Sequence, residues 1–183
     1  MSDVKETASE QLMQAVAGGD LSAFNEIVLR HQKLAWDIAY RFLGDRHAAE
    51  DIAQEAFLKI LDAAPRYKPT ASFRTYLSRV VTRLCLDYAQ RRRPTYTDNL
   101  PPVTDSGADG ARQVAAAESE QAIQGALMTL RLNQRMAVVL RYFEGLSLAE
   151  IAEAIGVSGK AAERLLARAR ESLEPLLAHL CEE

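Results

Sequence analysis

Between Pro94 and Gly110 the chain carries three prolines, two glycines and three aspartates, with no lysine or arginine. Neither a helix nor a strand runs through such a stretch, because proline removes backbone donors and glycine gives no side chain to pack. The break splits the 183 residues into two blocks, each long enough for a small core. On both sides apolar residues recur every three to four positions, and nowhere do polar and apolar residues alternate convincingly. The chain therefore reads as all-α: two small helical domains joined by a flexible linker. The predicted boundaries are 1–20 for an N-terminal lead, 21–93 for the first domain, 94–117 for the linker and 118–183 for the second domain.

In the first domain, Asp20 is placed to cap a helix with Phe24, Ile27, Val28, Leu34, Ala35, Ile38 and Phe42 on one face, and Gly44 to end it. Asp45 caps a second helix that buries Ile52, Ala53, Ala56, Phe57, Ile60 and Leu61 until Pro65 stops it. Its outer face, Glu50, Asp51, Gln54 and Glu55, is narrow and acidic, and by itself reads as solvated surface. Ser72 caps a third helix with Phe73, Tyr76, Leu77, Val80, Val81, Leu84 and Tyr88 inward and Arg74, Arg79 and Arg83 outward. It runs into Arg91, Arg92 and Arg93.

The formal net charge of −3 conceals an asymmetry. From Arg66 to Arg93 there are eight basic residues and one acid, Asp87, a local +7; the rest of the chain holds 14 basic and 24 acidic residues, or −10. A basic block of that size suggests a polyanion-binding face. Its aromatics, Tyr67, Phe73, Tyr76 and Tyr88, suit a single strand, where charge tracks the backbone and rings stack on bases. Packing in the core is the competing reading for the three on the helix; Tyr67, in the loop, is freer.

The second domain opens with helical stretches over 118–130 and 133–143. Ser147-Leu148-Ala149-Glu150 then forms a capping box for a short helix with Leu148, Ile151, Ala152 and Ile155 inward, closed by Gly156. After Val157 and Ser158, another helix turns Ala162, Leu165, Leu166, Ala169 and Leu173 inward and Lys160, Glu163, Arg164, Arg168 and Arg170 outward. Two short helices, a tight turn and a second helix rich in arginine make a helix-turn-helix, whose second helix enters the major groove. An ordinary helix pair in a bundle is the plainer alternative. In the helix-turn-helix reading Lys160, Glu163 and Arg164 meet base edges. Arg168 and Arg170 hold phosphates.

Several function classes are excluded. There is no GxxxxGK[ST], GxGxxG or HExxH, so no cofactor is expected. His47 and Glu50 stand three apart, but the second Glu-x-x-His that a bridged metal site needs is absent, and no metal is expected. His31 and His179 read as structural. Cys85 and Cys181 have no metal-ligand spacing and read as reduced thiols in cytoplasm. The N-terminus has no signal-peptide pattern and no apolar run approaches a membrane span, so neither secretion nor membrane insertion is expected.

Taken in order, Asp51-Ile-Ala-Gln-Glu-Ala-Phe57, Ser72-Phe-Arg-Thr-Tyr-Leu77 leading through Asp87 to Arg93, Tyr142-Phe-Glu-Gly-Leu-Ser-Leu-Ala-Glu-Ile-Ala152 and Ala167-Arg-Ala-Arg170 closely resemble the sigma-70 family of bacterial RNA polymerase sigma factors. The small extracytoplasmic-function (ECF) group, with only region 2 and region 4 joined by a linker, is the most similar. The resemblance implies a non-enzymatic promoter-specificity subunit that binds core RNA polymerase, reads the −35 element as duplex and melts the −10 element. It implies that Asp51, Gln54 and Glu55 dock on the β′ clamp, which overrides the solvated-surface reading. It assigns the −10 strand to Tyr67, Lys68, Phe73, Arg74, Arg79, Arg83, Arg91 and Arg92. The −35 duplex falls to Ser158, Lys160, Ala161, Glu163, Arg164, Arg168 and Arg170, with the second domain also packing on the β flap. The implied partners are core polymerase, promoter DNA and an anti-sigma factor. Tyr76 stands where the family usually has Trp, and Arg83 where it usually has Asn, so the resemblance covers the mode of binding rather than the promoter sequence. The alternatives are a stand-alone helix-turn-helix regulator and a helical protein-interaction module.

Overall fold

The computed structural model describes residues 2–92 and 111–178, with side chains placed over 9–92 and 119–178. Residues 94–110 of the linker expected at 94–117, with Arg93, His179 and Cys181, lie outside the described residues. Among the described residues every regular element is helical. The first lobe comprises α1 (Ser2–Ala17), α2 (Leu21–Leu43), α3 (Arg46–Ala63), a 3₁₀ turn (Ala64–Arg66) and α4 (Phe73–Arg91). The second comprises α5 (Ala111–Thr129), α6 (Leu132–Val138) running into a π-helical turn (Val139–Phe143), α7 (Leu148–Ile155) and α8 (Gly159–Leu177).

The helix ends follow their capping residues. Asp20 accepts from the backbone N–H of Ser22 at 2.8 Å and of Ala23 at 3.1 Å. Asp45 accepts from Ala48 N–H at 3.0 Å, and Ser72 from Thr75 N–H at 3.2 Å. Each satisfies a donor that the first helical turn leaves open. Gly44 closes α2 in the left-handed region at φ 70°. A Cβ at Gly44 would clash only with the flexible end of the Met128 side chain, so the positive φ is what requires glycine here.

Two expectations change. The stretch 1–20 is not a mere lead: α1 buries Met13 and Val16 against the first lobe. Likewise α5 begins at Ala111 rather than 118, so part of the expected linker is helical; its Ala115-Ala116-Ala117 run has the highest helix propensity available.

Ile27, Ile38, Phe42, Ile60, Leu77 and Val81 are fully buried in the first lobe, and Met136, Leu140 and Ile151 in the second. These side chains form one continuous apolar cluster, so the lobes pack together rather than standing apart. The reason lies on α4. Beside its expected apolar stripe it has a second buried face, Thr75, Ser78 and Thr82, at three- and four-residue spacing. Thr75 donates to Glu150 Oε1 at 2.8 Å and Thr82 to Met136 Sδ at 3.5 Å, both in the second lobe.

At the other end of the contact, Arg135 reaches back from α6. Its guanidinium donates to the carbonyls of Phe42 (2.8 Å), Leu127 (2.9 Å), Met128 (2.8 Å) and Leu130 (3.2 Å) and lies over the Phe42 ring. No carboxylate faces it in these contacts; the open carbonyls at the ends of α2 and α5 satisfy the charge. Gln124 adds bonds to the carbonyls of Tyr40 (3.3 Å) and Arg41 (3.2 Å).

Candidate nucleic-acid interface

The helix-turn-helix forms where the sequence places it. Ser147 and Glu150 cap α7 reciprocally: Glu150 N–H donates to Ser147 Oγ at 3.3 Å, and Ser147 N–H to Glu150 Oε2 at 2.9 Å. Gly156 turns the chain at φ 79°. Ser158 then caps α8, accepting from Ala161 N–H at 3.3 Å, so its side chain is engaged at the helix start. Ala162, Leu166 and Ala169 face inward. Lys160, Glu163, Arg164, Arg168 and Arg170 are exposed, and Ala161 is half-buried. Lys160, Arg164 and Arg168 repeat every four residues and so form one cationic row along the helix. Arg170, two residues past Arg168, donates to the Tyr142 hydroxyl at 3.2 Å.

The face on α4 and its preceding loop is arranged differently. Lys68, Arg83, Arg91 and Arg92 are exposed, and Arg92 lies over the Tyr88 ring. Arg74 instead donates to Glu144 Oε2 at 2.7 Å, and Arg79 pairs with Glu153, so both reach into the second lobe. Phe73 corrects an expectation. It is fully buried, 4.8 Å from the His31 ring and 6.2 Å from Tyr76, and has no surface to offer a base; as the first residue of α4 its side chain drops into the core. Tyr67 is half-buried, tilted against Tyr76 at 5.2 Å. It is less free than its loop position suggested, because α1 packs over the 3₁₀ turn beside it.

Burial shapes the titrations here. The Tyr67 and Tyr76 hydroxyls are held above the ordinary phenol range chiefly by desolvation. Burial, reinforced by the charges of Arg30 and Arg74, lowers the His31 pKa to about 4, and its Nε2 sits 2.9 Å from Ser9 Oγ. Burial alone pushes the Cys85 thiol up, away from the reactive thiolate.

On the far side of the first lobe, α3 exposes Asp51, Gln54 and Glu55 while Ile52, Ala53, Ala56 and Phe57 point inward. Between this row and α2 runs an apolar groove of about 780 Å³ lined by Phe24, Val28, Trp36, Phe57 and Leu58, with Gln54 also contributing. The acidic row therefore borders an apolar depression that periodicity alone did not reveal.

Sequence reasoning also missed the contacts that Glu144, Glu150 and Glu153 make with the first lobe. Their partners lie 70 or more residues away along the chain. The three- and four-residue spacing of Thr75, Ser78 and Thr82 was the available signal that α4 carries a second packed face.

Comparison with known proteins gives a consistent result. The family described as Sigma-70 region 2 matches residues 27–95, and that described as Sigma-70, region 4 matches residues 120–173. The ECF RNA polymerase sigma factor SigW of Bacillus subtilis (strain 168) is 31% identical over 179 residues, covering 92% of this chain and 96% of SigW. Among solved structures, that of CnrH in complex with the cytosolic domain of CnrY matches with a TM-score of 0.68 and 27% identity, covering 94% of this chain and 98% of the other. The crystal structure of the Mycobacterium tuberculosis extracytoplasmic function sigma factor SigJ matches with a TM-score of 0.58 and 35% identity, covering 82% of this chain and 52% of SigJ.

Proposed function

The chain belongs to the sigma-70 family of RNA polymerase sigma factors, in its extracytoplasmic-function group, and on that premise we propose how its surfaces divide the work of promoter recognition. The protein is a sigma factor that directs core RNA polymerase to promoters. Residues 21–93 form the unit that binds core polymerase and the −10 element, and 118–183, extended back to Ala111 by α5, the unit that binds the −35 element. The observation that carries this division is the placement of two charged rows that the fold leaves at the surface: Lys160, Arg164 and Arg168 on α8, and Asp51, Gln54 and Glu55 on α3.

In the −35 duplex, α8 lies in the major groove with Lys160, Glu163 and Arg164 at base edges and Arg168 and Arg170 at phosphates. Ser158 and Ala161, at its N-terminus, sit where the helix meets the groove. The acidic row of α3 docks on the β′ clamp, and α6–α8 pack on the β flap. At −10, Lys68, Arg74, Arg79, Arg83, Arg91 and Arg92 track the separated strand, with Tyr67 and Tyr76 as its aromatic edge. Taking a base out of the stack costs a few kcal/mol, least at an already weakened step, so recovering that cost in protein contacts selects the sequence and starts the bubble. The chain performs no covalent chemistry; synthesis belongs to the polymerase. It works in the cytoplasm with an anti-sigma factor as its restraint, and no helix among the described residues is long and apolar enough to cross a membrane.

Transcription with purified core enzyme tests this reading. Promoter-specific transcript is expected only when both chain and core are present. Tight duplex binding by the chain alone, with no effect of core enzyme, points to a stand-alone helix-turn-helix regulator and overturns it.

A further inference from the structure

The same guanidinium groups that a −10 strand would use are already occupied. Arg74 pairs with Glu144, whose side chain is only 5% exposed, at 2.7 Å. Thr75 donates to Glu150 at 2.8 Å, and Arg79, itself 15% exposed, pairs with Glu153. The three acids come from one side of the second lobe. Glu144 closes the π-helical turn, with its N–H bonded to Val139 O at 3.3 Å, while Glu150 and Glu153 sit three apart on α7. They meet three residues of one stretch of α4.

A carboxylate and a backbone phosphate each offer a guanidinium one negative charge spread over two acceptor oxygens. Glu144 and Glu153 therefore hold the sites through which a strand's phosphates would grip α4. We propose that Glu144, Glu150 and Glu153 form an internal acidic latch that keeps the −10 face of α4 closed in the free chain, and that separation of the two lobes exposes it. This rests on the assignment of α4 to the −10 strand made above.

The latch is built to be competed away rather than to lock. A cavity of about 240 Å³ lined by Lys33, Asp37, Arg41, Arg74 and Glu144 opens beside the first pair. Glu153 keeps 59% of its side-chain surface in solvent. Ions and water thus reach both ends, and pairs of this exposure contribute modestly and weaken with salt. The apolar contacts and the half-buried Arg135 clasp hold the lobes together; the acids decide what α4 shows. Glu150 also caps α7, so the start of the helix-turn-helix and the latch share one side chain.

The test measures binding of a fluorescein-labelled single-stranded 20-mer of random sequence to the free full-length chain at low salt. Glu144→Gln combined with Glu153→Gln is expected to bind roughly five-fold more tightly than wild type, the scale of two partly exposed ion pairs. Glu120→Lys, a change of equal charge at an exposed site on α5 outside the latch, is expected to gain less than two-fold. Glu153→Gln alone, which leaves the Arg74–Glu144 pair intact, is expected to give a smaller gain in the same direction. The gain shrinks as salt rises. Equal gains in the latch variants and the Glu120→Lys control overturn the latch, since charge alone then accounts for the effect. Transcription with core enzyme is measured separately: loss of promoter dependence in wild type overturns the functional reading, whereas normal transcription with no latch effect on strand binding overturns the latch alone.

Discussion

The two candidate DNA faces carry similar side chains in opposite states. On α8 the row Lys160, Arg164 and Arg168 stands in solvent, supported from below by Ala162, Leu166 and Ala169. On α4 two of the three outward arginines are engaged by carboxylates from the other lobe, and only Arg83 remains exposed. Arginine content and helical spacing do not separate these faces. What separates them is the neighbour: α8 packs on α5, α6 and α7 by its inner side alone, whereas α4 is packed on both sides. Under the proposed assignments, the duplex-reading surface is presented without rearrangement and the strand-reading surface waits on movement of the lobes.

The sharpest way to break this contrast is to remove the clasp that holds the lobes. Arg135→Ala takes a guanidinium from four carbonyls and is expected to cost about 3 kcal/mol of stability, with a larger radius of gyration in solution scattering; both faces are then open. An unchanged urea midpoint and radius would mean that the clasp is not what joins the lobes.

Arg164→Ala probes the open face, with an expected loss of roughly 2 kcal/mol at one base pair of the −35 duplex. A uniform loss across sequences would reassign Arg164 to the backbone. Charge reversal of Asp51 and Glu55 to Lys touches neither DNA face and is expected to lower affinity for core enzyme by roughly tenfold while leaving thermal stability unchanged; unaltered core affinity would move the docking site elsewhere.

The smallest effect concerns the corner beneath α4. The folded His31 pKa, about 4 against an ordinary 6.5, means that the unfolded chain binds the proton first as acid is added. Stability is therefore full above about 6.5 and falls as pH drops toward about 4, by about 1 kcal/mol after allowance for solvent screening. His31→Gln, which retains a partner for Ser9, should flatten that part of the pH profile in thermal melts. A profile equally steep in the variant would assign the slope to other groups.

Much of the fold is legible in the sequence because its determinants are close along the chain. Asp20, Asp45, Ser72 and the Ser147–Glu150 box each bond within three residues of their own position. The apolar stripes of α2, α3 and α8 follow from helical period. The motif order from Asp51 to Arg170 carried the family, and the exposed rows on α3 and α8 lie where it placed them. Phe73 was not legible, since one position at a helix start faces core or solvent according to what packs above it. Nor was α1: Met13 and Val16 are a short signal within a polar stretch, and they become core only because the first lobe offers a surface to cover.

The sequence by itself determined which segments are helical, where they are capped and which charged rows they carry, because these depend on hydrogen bonds and side-chain spacings within a turn or two. The tertiary structure alone decided which rows are available. Glu144 and Glu153 meet Arg74 and Arg79 across 70 and 74 residues of chain, and Arg135 meets the Phe42 carbonyl across 93. No local pattern encodes such meetings; they exist because Thr75, Ser78 and Thr82 give α4 a flat second face on which the other lobe can close.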